Sequence, residues 1–96
     1  ARIAVIGAVL AYYQVTEKDL FGRQRKREIV LPRQVAMYLL REETDSSLSE
    51  IGAMLGGRDH TTVMHANKKI RQLMAERRAT YNQVTELTNR IKQQAG

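Results

Sequence analysis

Apolar residues recur at three- and four-residue spacing along most of this chain, and this period constrains the fold more than any other feature. One turn of an α-helix takes 3.6 residues, so the spacing places apolar side chains on one helical face. Strand-like alternation is scarce, and the chain has a single proline, Pro32. The sequence therefore predicts an all-α fold of about six helices.

Length and composition limit the class of protein. With 96 residues, of which 43% are apolar, the chain can form one domain with a modest core. The absence of cysteine excludes a disulfide framework and any zinc site built on thiolates. The longest nearly apolar stretch, residues 3–13, is shorter than the roughly 20 residues that a membrane span requires. We expect one domain over residues 1–96, excised from a longer protein, with no membrane contact.

Start and stop signals place the second and third helices. Thr16 is a candidate N-cap, and Asp19 three residues later nearly completes a capping box. Residues 23–30 are polar and charged without an apolar stripe, so they predict a basic loop. Pro32 suits the first turn of a new helix, which we expect over residues 32–43.

A helix-turn-helix is predicted over residues 47–74. Ser47 and Glu50 form a capping box for a short helix that ends at Leu55, where two glycines follow. Asp59 is a candidate N-cap for the next helix. Two helices joined by a tight glycine turn form the motif whose second helix enters the DNA major groove.

The same spacing predicts which side chains are buried. The region after Asp59 has no glycine or proline before Gly96, so we expect a break in the helix near residues 74–78. The expected apolar stripes are Ile3, Ile6, Leu10 and Tyr13; Val35, Ala36, Leu39 and Leu40; Leu48, Ile51 and Leu55; and Tyr81, Val84, Leu87 and Ile91.

Positive charge is concentrated in two segments. The chain has 16 Lys and Arg against 10 Asp and Glu, a net charge of +6. Residues 23–33 contribute +4 and residues 58–71 contribute +3, which leaves −1 for the rest. This asymmetry is typical of a face that binds polyanions.

The predicted second helix of the motif has two different faces. At about 100° per residue, the residues near Val63 are Ala66, Asn67, Ile70 and Met74. The opposite face carries Thr61, Thr62, His65, Lys68, Lys69 and Gln72. Hydroxyl, imidazole, amide and ammonium groups suit base edges and phosphates. An ordinary solvated helix face is the alternative that this pattern leaves open.

The segment GGRDHTTVMHANKKI, residues 56–70, resembles the signature of the bacterial replication initiator DnaA family. PRQVAMYL, residues 32–39, and SLSEIG, residues 47–52, resemble the segments that precede this signature in the family. Order, spacing and the upstream basic loop agree, and the resemblance extends from YYQVTEKDL to the final helix. It implies the C-terminal DNA-binding domain of a DnaA protein.

The resemblance carries implications for activity and partners. It implies binding of double-stranded DNA at replication-origin sites, DnaA boxes resembling TTATNCACA. The domain itself is expected to be monomeric and to hold no cofactor, whereas the full protein is expected to oligomerise at the origin. The family's ATPase activity would reside in a part of the protein outside this chain. The implied location is the cytoplasm, at the nucleoid.

The resemblance also implies roles for single residues. Base-reading positions are matched by Asp59, His60, Thr61 and Thr62 in the major groove and by Arg25 in the adjacent minor groove. Positions that hold or flank phosphates are matched by Arg23, Arg27, Arg33, Gln34, Ser49, Arg58, His65 and Lys69. Ser49 stands where the family often has proline, and its hydroxyl could replace a backbone contact. Lys68 varies in the family and ranks below Lys69.

Other functions have less support in the sequence. His60 and His65 point about 140° apart on a helix, whereas zinc-binding pairs lie on one face, so we expect no metal site. No nucleophile, base and orienting group occur together, and no phosphate-binding glycine loop is present, so we expect no enzyme. Asp59 could serve as an N-cap, as a base-reading residue, or as both.

Two rival functions remain open at this point. The first is a transcription regulator with a similar helix-turn-helix, a class that commonly dimerises on palindromes. The second is a protein-interaction module whose basic face binds acidic partners without any base preference.

Overall fold

In the computed structural model, which describes residues 1–95, the chain forms six α-helices and no strand. The last residue, Gly96, lies outside the described part. The helices are α1 (Arg2–Tyr13), α2 (Glu17–Phe21), α3 (Arg27–Glu43), α4 (Leu48–Met54), α5 (His60–Glu76) and α6 (Arg78–Ala95). The predicted all-α class with a helix-turn-helix is confirmed.

Helix α3 is the centre of the fold because every other helix packs against it. Its Val35, Leu39 and Leu40 are fully buried, as their spacing predicts. The core that surrounds them is built from all six helices and includes Val9, Leu20, Ile51, Leu55, Val63, Ile70 and Leu87. The two DNA-motif helices, α4 and α5, are thus held on a shared apolar core.

Both predicted capping boxes are present. The Thr16 hydroxyl accepts from the Asp19 N–H at 3.1 Å, and the Asp19 carboxylate accepts from the Thr16 N–H at 3.2 Å. Ser47 and Glu50 make the same reciprocal pair at 3.1 and 2.8 Å. Each box satisfies two backbone N–H groups that have no partner inside the helix, so each fixes the start of its helix.

Helix α3 begins five residues before the predicted start. The expected loop over residues 23–30 is wrong in its second half, since the helix already begins at Arg27 and Pro32 lies inside it. The reason is Ile29, which is buried one turn before Arg33 and two turns before Ala36 and extends the buried side of the helix. Proline lacks one intrahelical N–H there, and burial of this extra turn offsets that loss. The basic loop therefore comprises residues 22–26.

The predicted stripe of α1 is right only in part, and one residue of the α6 stripe is wrong. In α1, Ile6, Leu10 and Tyr13 pack half-buried against the core. The side chains that α1 buries are Val5, Ala8 and Val9, whereas Ile3 is 88% exposed. Apolar residues occur all round α1, so their period does not distinguish one face from another. In α6, Val84, Leu87 and Ile91 are buried as expected, but Tyr81 is 51% exposed.

The expected break in the long C-terminal helix is confirmed at Arg77. Its backbone is extended, with φ −131° and ψ 117°, between the end of α5 and the start of α6. The Arg77 N–H still donates to the Leu73 carbonyl at 2.8 Å, and the Tyr81 N–H donates to the Arg77 carbonyl at 3.1 Å. The two helices are therefore joined at a hydrogen-bonded corner of one residue rather than through a loop.

Candidate nucleic-acid interface

The turn between α4 and α5 is tight because two glycines have no side chain. The Arg58 N–H donates to the Gly52 carbonyl at 2.8 Å, which folds the turn back onto α4. A Cβ added at Gly52 would lie 2.0 Å from the Arg58 carbonyl oxygen. A Cβ added at Gly56, whose φ is +91°, would lie 2.2 Å from the Phe21 carbonyl oxygen. Glycine at these positions thus sets how closely α5 approaches α4 and the end of α2.

Helix α5 presents the two faces that its sequence predicts. Val63, Ala66, Asn67 and Ile70 are buried. The exposed side carries Thr61, Thr62, His65, Lys68, Lys69 and Gln72. A continuous row of hydrogen-bonding groups and two cations therefore lies along the free face of the second motif helix.

The first residues of α5 form one hydrogen-bonded cluster. The Asp59 carboxylate accepts from the Thr61 hydroxyl at 2.8 Å through one oxygen and contacts His60 Nδ1 at 2.9 Å through the other. These contacts, first the Thr61 hydrogen bond and then the interaction with His60, hold the pKa of Asp59 below its usual value. All three side chains are exposed. A carboxylate, an imidazole ring and a hydroxyl are thus exposed together at the helix start.

Asp59 occupies the predicted N-cap position but does not cap the helix with its side chain. Its backbone is extended, and its carbonyl accepts from the Thr62 N–H at 3.1 Å. The carboxylate is instead directed to the neighbouring side chains. The cap alternative therefore does not explain the choice of an acid here.

Arg33 is buried, and it holds the basic loop from inside. Only 7% of the residue is exposed, and its guanidinium donates to the carbonyls of Asp19, Leu20 and Gln24 at 2.8, 2.9 and 3.0 Å. Burial lowers the pKa of the Arg33 guanidinium. The resemblance implies a phosphate contact for this residue, whereas the structure engages its donors with the backbone on both sides of Gly22.

Arg58 makes a second link to the same loop. Its guanidinium donates to the carbonyl of Leu55, at the end of α4, and to the carbonyl of Gly22. Burial, and then the nearby positive charge of Arg33, lower the pKa of Arg58. The helix-turn-helix and the basic loop are therefore joined directly by one side chain.

The remaining cations in the basic loop and at the first residue of α3 point to solvent. Arg23, Arg25 and Arg27 are exposed, and no carboxylate among residues 1–95 forms an ion pair with them. Ser49 is exposed at the second residue of α4, on the far side of the motif helix from its buried Ile51. These side chains are placed where a polyanion can reach them.

Two depressions connect the loop with α5. One, of about 420 Å³, is lined by Arg33, Gln34, Arg58, Thr62, His65 and Lys69. The other, of about 530 Å³, is lined by Arg25, Arg27, Gln34, Lys69, Arg77 and Thr80. Gln34 and Lys69 border both depressions, so the two depressions form one groove between Arg25 and the start of α5. The structure thus brings together residues that lie far apart in sequence.

Arg77 is the one groove cation that the sequence pattern did not single out. It lies beyond the second basic segment, next to Arg78, and nothing in the sequence distinguishes the two arginines. Only the corner between α5 and α6 directs Arg77, but not Arg78, into the groove. A basic pair at a predicted helix break is the only sequence signal available for it.

Other kinds of site find no support in the part of the chain that the structure describes. Residues 1–95 contain no cluster of three or more metal-ligating side chains. His60 is engaged with Asp59, and His65 lines the groove instead of joining it. Within the same residues, no helix is both long enough and apolar enough to cross a membrane.

Comparison with known proteins agrees with this architecture. The family model described as the bacterial DnaA protein helix-turn-helix matches residues 3–70. A chromosomal replication initiator protein DnaA from Clavibacter sepedonicus is 56% identical over 93 residues, which is 97% of this chain and 20% of that protein. The protein of the same name from Leifsonia xyli subsp. xyli is 57% identical over 89 residues, 93% of this chain and 19% of that protein. This chain, which spans about a fifth of the length of those relatives, belongs to the bacterial DnaA helix-turn-helix family.

Proposed function

We propose that this chain binds double-stranded DNA sequence-specifically and places a replication initiator on origin boxes resembling TTATNCACA. The observation that carries the proposal is the exposed cluster of Asp59, His60 and Thr61 at the start of α5, separated from Arg25 by a basic groove. Relatives that match nearly the whole chain are named chromosomal replication initiator proteins. The matched family and this geometry favour an initiator over a transcription regulator.

The first turn of α5 would contact the bases in the major groove. The major groove is about 12 Å wide and admits an α-helix whose first residues reach base edges. An ionised Asp59 can accept from the amino group of cytosine, and the methyl groups of Thr61 and Thr62 can contact the methyl group of thymine. His60, oriented by Asp59, offers its other ring nitrogen to a base edge. The cluster would therefore read several neighbouring base pairs.

The basic loop would supply a second reading element in the minor groove. An arginine inserted into a narrow, A·T-rich minor groove meets an enhanced negative potential, which favours Arg25 at that half of the box. The links from Arg33 and Arg58 to the loop backbone set where Arg25 stands relative to α5. We assign these two arginines to positioning the loop, because Arg33 makes three hydrogen bonds and Arg58 makes two to backbone carbonyls.

Phosphate contacts would fix the register of the domain on the duplex. The side chains available for them are Arg23, Arg27, Gln34, Ser49, His65 and Lys69. Such contacts supply affinity and salt dependence without base preference. The domain would bind as a monomer and perform no catalysis. Nucleotide hydrolysis and assembly at the origin would belong to the rest of the protein, and the setting would be the bacterial cytoplasm.

Alanine variants on α5 test this division of roles. Thr61→Ala and His60→Ala should each weaken binding to the cognate box by about 1 to 3 kcal/mol and leave random DNA nearly unchanged. Lys69→Ala should weaken both to the same extent, because a phosphate contact has no base preference. Titration of labelled cognate and random duplexes at fixed salt measures the affinity of each variant for both.

Thr85→Ala is the matched control, since Thr85 is exposed on α6 away from the groove. It should bind both duplexes like the wild type. Equal losses on cognate and random DNA for Thr61→Ala would contradict base reading by α5. A wild type without any box preference would instead support the protein-interaction alternative.

A further inference from the structure

The basic groove extends past the predicted contacts, to the corner between α5 and α6. Its far end is formed by Arg77 and Thr80, and its other end by Arg25 of the basic loop and Arg27 at the start of α3. Lys69 lies between them on α5. Four cations therefore line one depression of about 530 Å³, and three of them belong to segments already implied in DNA binding.

The charge of this groove is not compensated by the protein. No acidic residue lines it, and no ion pair within residues 1–95 involves its four cations. Arg77 is exposed and uses only its backbone in the helix corner. Its guanidinium is thus free to bind an anion, and the hydrogen-bonded corner holds the backbone from which the side chain extends.

A phosphodiester backbone fits the course of the groove. If Arg25 enters the minor groove and α5 enters the adjacent major groove, the strand that separates the two grooves must pass between them. Gln34 and Lys69, which border both depressions, lie on that path. Arg77 lies at its end, so the strand would leave the domain beside it.

We propose that Arg77 binds a backbone phosphate of the DNA and extends the contact surface of the domain to the corner between α5 and α6. The inference rests on the proposed DNA-binding function and adds one residue to it. An acidic protein segment could also bind to four cations. Only a DNA strand, however, explains why the groove lies on the line between Arg25 and α5. The arrangement favours the nucleic-acid backbone.

The neighbouring Arg78 provides a charge-matched control. It is also exposed, yet it lines a separate depression with Met74, Glu76 and Tyr81, away from the loop. Removing either arginine lowers the net charge by one. A difference between Arg77→Ala and Arg78→Ala therefore reports on position and not on total charge.

The test is the salt dependence of binding by the wild type, Arg77→Ala, Arg77→Lys and Arg78→Ala. One lost phosphate contact makes the slope of log affinity against log salt shallower by about 0.9. Relative to 1 M salt, where this contribution vanishes, binding at 0.1 M salt is then about eightfold weaker. Arg77→Ala should show this loss on cognate and random duplexes alike, with unchanged base preference. Arg77→Lys should restore most of it, and Arg78→Ala should bind like the wild type.

Neutral methylphosphonate linkages, placed one at a time in the duplex, identify the phosphate. We expect that a methylphosphonate at one position weakens binding by the wild type but does not weaken binding by Arg77→Ala any further. A general change in folding would not produce this coupling. Equal slopes for Arg77→Ala and Arg78→Ala, or no coupled phosphate, would overturn the inference. Neither result would touch base reading, because that proposal is tested separately, by the box preference of the wild type and by Thr61→Ala.

Discussion

Replacing Gly52 with alanine should destabilise the domain by about 3 kcal/mol, near the upper end of the cost of overpacking a tight site. The added methyl group would lie 2.0 Å from the Arg58 carbonyl oxygen, a backbone atom that cannot rotate away. Relief requires the turn to open, which strains the 2.8 Å hydrogen bond from the Arg58 N–H to the Gly52 carbonyl. Urea unfolding followed by circular dichroism measures the change.

Gly7→Ala is the control for this substitution. Gly7 lies in α1, and an added Cβ would meet no atom within 4 Å. Alanine costs less backbone entropy than glycine in a helix, so this variant should be more stable by about 0.5 to 1 kcal/mol. If Gly52→Ala were as stable as the wild type, the close approach of the turn to α4 would be contradicted.

Replacing Arg33 with alanine should lower the stability of the domain by about 2 to 4 kcal/mol, because several charge-assisted hydrogen bonds are lost together. Three carbonyls, those of Asp19, Leu20 and Gln24, lose their donor at once. The basic loop would also lose its attachment to α3, so binding at the A·T-rich half of the box should weaken. Thermal unfolding and box titration measure the two effects separately.

Arg27→Ala is the comparison, since Arg27 is exposed and borders the groove. It should weaken DNA binding with little change in unfolding. Arg33→Lys keeps the charge but cannot donate to three carbonyls in a fork, so it should remain less stable than the wild type. Unchanged unfolding for Arg33→Ala, with reduced DNA affinity alone, would contradict the positioning role and restore a direct phosphate contact.

Local signals in the sequence were sufficient for much of the fold. Both capping boxes need only residues three apart, so Thr16 and Ser47 could be identified without tertiary information. The buried face of α5 followed from its period, because polar residues occupy the opposite side. The break at Arg77 was expected from helix length alone.

The sequence predictions that the structure corrects concern the buried face of α1 and the start of α3, which the local apolar pattern does not determine. Helix α1 is apolar all round, so its buried face depends on what packs against it. Polar residues before Ile29 hid the early start of α3, which a single buried side chain decides.

In the candidate site too, residues that are close in sequence could be predicted, whereas contacts between residues far apart in sequence could not. The base-reading positions were implied by the resemblance, and the structure brings Asp59, His60 and Thr61 into one cluster. The engagement of Arg33 and Arg58 with the basic loop spans 9 to 36 residues of sequence. Contacts over such separations depend on tertiary packing, which the sequence pattern does not contain. A count of positive charges therefore does not distinguish Arg33 and Arg58 from exposed arginines.

Selection of bound sequences from a pool of randomised duplexes tests the central claim most directly, with the wild type and Arg25→Ala in parallel. The account predicts that the wild type selects one asymmetric site resembling TTATNCACA. Arg25→Ala should keep the half read by α5 and lose preference in the A·T-rich half. No enriched site, a palindromic site, or an unaltered A·T-rich half in the variant would contradict reading by α5 together with a minor-groove arginine.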